Sequence, residues 1–528
     1  MPMTRRDFME TAGTLALGAA FAAGGAGRAS ASTDFDIDAA FATFMQDIGQ
    51  TAADGGGKVT FTGKDPIVRS HFHIGATMAI PAMGAGVGAA AIWKERTGQG
   101  QDVAVDLRES VYNIMPITGL ILQLKQSVGM IDPDDPIPGS FGFVPTINGR
   151  MFQAPLLFGN PTSFAIFETK DGRSVTASGL YPHLYHGILN VLGSTPDAAT
   201  IAEKIKTWNA EDLDQAMAEA GMAFAIHRTA EEWAEHPEGK HLAGTPLIEI
   251  VKVADGEPVP WAADPVAPLS GLRVLTNTHV IAGSTAARTL SEYGADVLHI
   301  ARDQSFEHEV IWTDINIGMR SSFLNLREEG PKAVMQALAK DADVFIESFR
   351  GRSMERLGFG VEEVAQGHRG VVYLSVRCYS WDGPWRDRGG FDMEALTTSG
   401  FTMREGNGKP RFPATMVLND YIAGYIGAAG VIAALRRRAA EGGSYHVRVN
   451  LTRSAMWYAS LGIFDTLEFE PTDPDHMMIM PETLTGPSAY GEVTRLAPQA
   501  KLSATPGKWP EQLLHVRGAN LPEWGNRK

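Results

Sequence analysis

The sequence predicts an α/β protein in two unequal parts, a large domain on a nucleotide-binding-like parallel sheet and a small α+β domain. Three observations carry that expectation. After residue 271, buried-strand patterns alternate with helical ones, as in a parallel sheet with helical crossovers. From Ser163, SFAIFETKDGRSVTASG sets two alternating runs around Asp171-Gly172, a hairpin signal. A small-residue helix followed by a basic turn and an alternating strand occurs twice.

Composition narrows the class. A chain of 528 residues exceeds one core and implies two or three domains. The net charge of −15, with no basic stripe, argues against nucleic acid as a partner. The single cysteine, Cys378, rules out an internal disulfide and any Cys-rich metal site. It lies in the apolar run VVYLSVRCY and reads as a buried core thiol.

Residues 1–31 read as a twin-arginine signal peptide. Thr4-Arg5-Arg6-Asp7-Phe8-Met9 is followed by a moderately apolar run from Thr11 to Ala23 and the small-residue box Ala29-Ser30-Ala31. Export to the periplasm follows, with retention on a cytoplasmic protein as the alternative. No later stretch offers roughly 20 uninterrupted apolar residues, so no membrane association is expected after processing.

Residues 32–140 form an N-terminal helical segment with the first copy of the repeat. Phe41, Phe44, Met45 and Ile48 mark one face of a helix, and the glycines at 55–57 follow it. His71 and His73 lack a nearby third ligand, so they read as a solvated or locally bonded pair. The Pro/Asp-rich run 131–140 is a loop. The small α/β domain occupies 141–252, with a capping box at Thr229 and Glu232. A Pro-rich linker, 253–271, closes it.

The large domain, 272–460, begins with strands at 272–276 and 297–300 around a helix at 284–293, and continues with strands at 343–348 and 371–379. The loop NTHVIAG after the first strand has no GxGxxG, which disfavours a dinucleotide enzyme. The second repeat copy ends the domain, and 461–528 is a C-terminal tail.

The two copies align at one offset. Gly86 pairs with Gly430, Val87 with Val431, Ala89 with Ala433, Val103 with Val447 and Ser110 with Ser454, all 344 residues apart. At this register Asp420 falls opposite Ala76. An N-cap is the ordinary reading of an Asp before a helix. Loss of the acid from the first copy favours a chemical role in the second. The helix N-terminus is expected to favour a negative charge there and keep Asp420 ionised.

The Asp420 helix, the basic turn KERTGQGQ of the first copy and the strands that follow resemble the class III CoA-transferase family. The resemblance extends in order through GLRVLTNTHVIAGSTAARTLSEYGADVLHI, LNLREEGPKAVMQALAKDADVFIESFRGRSMERLGFG and YSWDGPWRDRGGFDMEALTTSG. The parts stand in rearranged order, the first half resembling the rear of a family member and the second its front. A truncated tandem fusion and a permuted arrangement both fit, and a homodimer, interlocked as in the family, is implied.

The resemblance implies transfer of CoA from an acyl-CoA to a carboxylic acid, with Asp420 as nucleophile and an aspartyl-CoA thioester as intermediate. CoA takes part as substrate, and no metal is implied. Val280, Arg302, Phe349, Arg356 and Phe391 fall at CoA-binding positions. Ser348 departs from the family's usual Asn, and Ile281 replaces a polar residue, which disfavours small polar acids such as oxalate. Phe391 stands where the racemase branch carries a proton-transferring His, so transferase chemistry is favoured over epimerisation. A non-catalytic CoA- or acyl-binding partner subunit is the alternative.

Overall fold

The computed structural model describes residues 35–116, 145–151, 161–162, 165–303, 305–368, 370–466 and 473–525. The signal-like residues 1–31 and the loop 131–140 lie outside them.

The large sheet has six parallel strands in the order Arg320–Phe323, Asp296–Ala301, Arg273–Asn277, Val344–Glu347, Val372–Arg377 and Ser444–Asn450. A seventh, Glu249–Ala254, joins Ser444–Asn450 antiparallel at the edge. The central strands are buried on both faces, which is why they read as apolar runs. The edge strand lies partly within the expected 253–271 linker, so the large sheet begins before that segment ends.

The strand order reverses between Arg273–Asn277 and Val344–Glu347, which makes the crevice at their carboxyl ends a topological switch point. Ser348 fastens the two loops there. Its Oγ accepts from the His279 N–H at 3.0 Å and donates to the His279 carbonyl at 3.1 Å.

The elements of the two sequence copies fall at the same offset. Helix Ile74–Thr97 and strand Gln101–Asp106 correspond to helix Asn419–Glu441 and strand Ser444–Asn450. The two long helices pack against each other, and their small residues set the separation. A Cβ on Gly88 would lie 2.6 Å from Ile432 Cγ2 of the partner helix, and one on Gly424 would lie 2.5 Å from Thr285 Cβ of a third helix, Ala282–Glu292. Gly88→Ala is therefore expected to lose about 1–3 kcal/mol to overpacking, against a gain of up to about 1 kcal/mol in helix propensity. Adding Ile432→Leu removes the opposing branch. A double-mutant cycle by chemical denaturation should recover part of the loss, and additive effects would show that the contact is not what limits the packing.

Helix Ile74–Thr97 is long and apolar enough to cross a membrane by length and composition, although the sequence offered no such stretch by the stricter count of uninterrupted apolar residues. Its apolar segment is wholly buried within the protein. Helical crowding, rather than lipid, accounts for its hydrophobicity.

The small domain packs around the sheet Phe167–Glu168, Ser174–Ala177 and Phe224–Ile226 with its own apolar core. The hairpin turns at Gly172, whose φ is +75°, and the Thr229–Glu232 capping box is formed. The tail folds back on the first half. Strand Gly491–Leu496 lies between Thr483–Ser488 and Thr146–Ile147, pairing antiparallel with both, and Lys501–Leu502 adds to strand Gln101–Asp106. Of the two early histidines, neither is solvated. His71 bonds to the Phe464 carbonyl at 2.5 Å, and His73 makes tilted ring contacts with Phe35 and Phe464, with both ring nitrogens unpartnered.

Candidate active site

Asp420 lies in the first turn of helix Asn419–Glu441, the crossover that starts beyond the carboxyl end of strand Val372–Arg377. The backbone donors at that helix end are already taken. Asp392 Oδ2 accepts from the N–H groups of Leu418 at 3.0 Å, of Asn419, and of Asp420 at 3.1 Å. The first copy has the same arrangement at its helix start, where Asp65 accepts from Gly75 and Ala76 at 2.9 and 2.8 Å. Both helix ends are thus capped by a separate acid, and Asp420 is an additional one.

This corrects the expectation that the helix end keeps Asp420 ionised. Its carboxylate makes no hydrogen bond among the described residues, and the side chain is buried. Burial, the Asp392 charge and the Glu394 charge together push the Asp420 carboxyl well above the usual range. Asp392 is also raised by burial, although its three N–H donors work against that and make it the better-stabilised anion of the pair.

The small domain closes the site from the other side. Ser178 donates to Glu394 Oε1, whose other oxygen accepts from the Phe391 N–H at 2.9 Å. Tyr181 stacks on Phe391 with ring centroids 5.8 Å apart, and its hydroxyl donates to Glu307 Oε1 at 3.0 Å. Val280 and Phe391 pack with Tyr181 and Leu184 into one apolar cluster. Val280 is held at a φ of +66°, unusual for a β-branched residue, with its N–H directed to Glu307 Oε2 at 3.3 Å. Such conformations cost on the order of 1–3 kcal/mol and concentrate at functional sites.

Several buried polar atoms here have no partner: Asp392 Oδ1, both ends of the Asn419 amide, and the Tyr458 hydroxyl. Cys378 follows the strand beneath them as a buried free thiol, pushed well up by burial, and it is no candidate nucleophile.

The structure brings together only some of the predicted binding residues. Val280, Arg302 and Phe349 follow three adjacent strands at the carboxyl edge of the sheet, and each is half-buried. Phe391 belongs to the Asp420 cluster. Arg356 lies on the short helix Ser353–Leu357, exposed, with Nη2 bonded to Ser353 Oγ at 3.2 Å. Glu394, Ser178, Tyr181 and Tyr458 were not singled out from sequence. The Ser178–Glu394 contact spans 216 residues, and no local pattern announces it.

Residues 269–478 match CoA-transferase family III. Similar curated proteins include acetyl-coenzyme A transferase nodX of Hypoxylon pulicicidum, 31% identical over 326 residues that cover 57% of this chain and 55% of that protein. The alpha subunit of succinyl-CoA–L-malate CoA-transferase of Chloroflexus aurantiacus is 31% identical over 229 residues, 40% of this chain and 51% of that one. The chain spans about half the length of these relatives. Among solved structures, a hypothetical protein of Mycobacterium tuberculosis aligns with a TM-score of 0.35 at 30% identity, over 38% of this chain and 57% of that one. The matched segment, 269–478, holds the parallel strands together with Asp392, Glu394 and Asp420.

Proposed function

We propose that this protein is a class III CoA-transferase that moves CoA from an acyl-CoA to a carboxylic acid through an aspartyl-CoA thioester on Asp420. The observation that supports this reading is a buried carboxylate without hydrogen bonds, beside a helix end already capped by another acid. An acid of this kind is a poor structural element and a usable nucleophile.

Asp420 attacks the thioester carbon, forming an acyl-aspartyl anhydride and expelling CoA as its thiolate. The thiolate attacks the Asp420 carboxyl carbon and releases the first carboxylic acid, leaving the aspartyl-CoA thioester. The acceptor carboxylate repeats the two steps in reverse. Val280, Arg302 and Phe349 line the CoA path at the sheet edge, Arg356 meets its outer, charged end, and Phe391 packs near the reacting carbon. Phe391 cannot carry a proton, which favours transfer over racemisation.

Attack requires ionised Asp420, so kcat/KM rises with pH as that group deprotonates. Glu394→Gln removes one of the charges that raise it, so Asp420 ionises at lower pH. The acid limb of the profile is expected to move to lower pH. An unmoved limb would mean that another group controls it.

The test of the proposal is transfer itself: purified protein, a panel of acyl-CoAs and carboxylic acids, and chromatographic detection of new acyl-CoA. The rearranged order of the two halves and the single Asp420 support a second reading, a non-catalytic CoA- or acyl-binding partner subunit. Tight CoA binding without transfer under any pairing would favour it.

A further inference from the structure

We propose that Glu307 is a positioning residue that builds the CoA path from both domains: its carboxylate fixes the Val280 backbone of the large domain and anchors Tyr181 of the small domain beside it. The inference rests on the CoA-binding part of the reading above, in which Val280 lines the CoA path and Phe391 packs near the reacting carbon.

Glu307 lies in the loop between strand Asp296–Ala301 and helix Glu309–Ile315, with its side chain 5% exposed. Its two oxygens divide between the domains. Oε1 accepts from the Tyr181 hydroxyl at 3.0 Å and from the neighbouring His308 N–H at 3.0 Å. Oε2 accepts from the Val280 N–H at 3.3 Å and lies 3.5 Å from Nε2 of His279, which donates to the Phe306 carbonyl at 2.9 Å. The His308 imidazole makes a second tie across the domains, donating to the Leu180 carbonyl at 3.0 Å. Among the described residues no lysine or arginine pairs with Glu307, so placed donors rather than a cation compensate its burial.

Val280 needs such a holder. A β-branched residue at a φ of +66° is outside the conformations it adopts freely, and the bond to Glu307 is the polar contact its N–H makes there. Tyr181 completes the arrangement. It packs in one apolar cluster with Val280 and Phe391, its ring centroid 4.7 Å from that of His279 and 5.8 Å from that of Phe391. A glutamine at 307 separates the two duties. Its carbonyl oxygen can still accept from Tyr181, but its NH2 group then meets the Val280 N–H, donor against donor.

The experiment measures CoA affinity by titration calorimetry, with steady-state kinetics and melting temperatures alongside. It compares wild type, Glu307→Gln, Tyr181→Phe, the double variant and a control, Glu238→Gln. The buried Glu238 carboxylate likewise accepts from two backbone N–H groups, those of Ser380 and Trp385, both at 2.9 Å. Glu307→Gln is expected to weaken CoA binding by about tenfold and to raise KM for acyl-CoA by a similar factor, with kcat nearly unchanged. Tyr181→Phe is expected to weaken binding by about threefold alone and to add nothing in the double variant, because both changes act through the Val280 contact. The control is expected to melt lower and bind CoA as the wild type does. Wild-type affinity in Glu307→Gln overturns this inference alone, as do an equal weakening in the control and fully additive losses in the double variant. Absence of transfer by the wild type, with the loss of affinity in Glu307→Gln intact, overturns the transferase reading and supports this one. Absence of CoA binding by the wild type overturns both.

Discussion

Asp420→Asn is expected to abolish CoA transfer, by about 1,000-fold or more, and at the same time to make the protein more stable. An amide has no anionic oxygen to attack a thioester. The gain in stability follows from the same geometry. Asp420 is buried beside two other carboxylates without a hydrogen bond, so its charge is disfavoured in the folded state. A carboxyl raised in the folded protein binds its proton more tightly there than in the unfolded chain. Wild-type stability is therefore greatest below the unfolded carboxyl range and falls as pH rises through the folded one. Asparagine carries no such cost. The difference in melting temperature should grow as pH increases from about 4, reaching the equivalent of about 1–3 kcal/mol. Loss of activity together with loss of stability would mean that Asp420 is a structural acid after all.

The second large effect lies on the other side of the same helix. Asp314 sits between two buried guanidinium groups, accepting from Arg288 Nη1 at 2.5 Å and pairing with Arg495 Nη2 at 3.3 Å, while the Tyr421 hydroxyl donates to it at 2.9 Å. Burial raises the Asp314 carboxyl, but the two arginines and the tyrosine outweigh it and hold the group below its usual range. Asp314→Ala leaves two buried cations without this anion, a change that typically costs about 3–5 kcal/mol. Glu292 is nearby with both oxygens unpartnered and its carboxyl pushed up to about 7, so it can ionise in compensation and draw the loss toward the lower end. Urea denaturation at pH 6, where Glu292 is still largely protonated in the wild type, measures this directly. A loss below about 1 kcal/mol would show that the network contributes specificity rather than stability. Because Arg495 belongs to the tail and Tyr421 adjoins Asp420, the same variant is also expected to loosen the tail from the helix that carries the nucleophile.

Much of the large sheet is readable from sequence because its central strands are buried on both faces and so appear as short apolar runs. The edge strands escaped for the opposite reason. Arg320–Phe323 is four residues of mostly polar character, and Glu249–Ala254 lies against a Pro-rich stretch that looks like linker. Tail strands Gly491–Leu496 and Lys501–Leu502 pair with residues more than 300 positions away, and no local pattern encodes such a partner. Asp420 was legible through the second copy of the repeat and the family resemblance. Its electrostatic setting was not. The cap on its helix comes from Asp392, 28 residues earlier, whereas the corresponding acid of the first copy, Asp65, stands 11 residues before Ala76. The constant offset therefore breaks where it would have revealed that the capping role was already filled.

The central claim is that Asp420 carries CoA as a thioester. It is tested most directly by intact-protein mass spectrometry of wild type and Asp420→Asn after incubation with a panel of acyl-CoAs, before and after hydroxylamine. The account predicts an added mass of CoA on the wild type only, mapped to the peptide that contains Asp420 and removed by hydroxylamine. Measurable CoA binding with no covalent adduct from any donor, or an adduct that persists in Asp420→Asn, would contradict it.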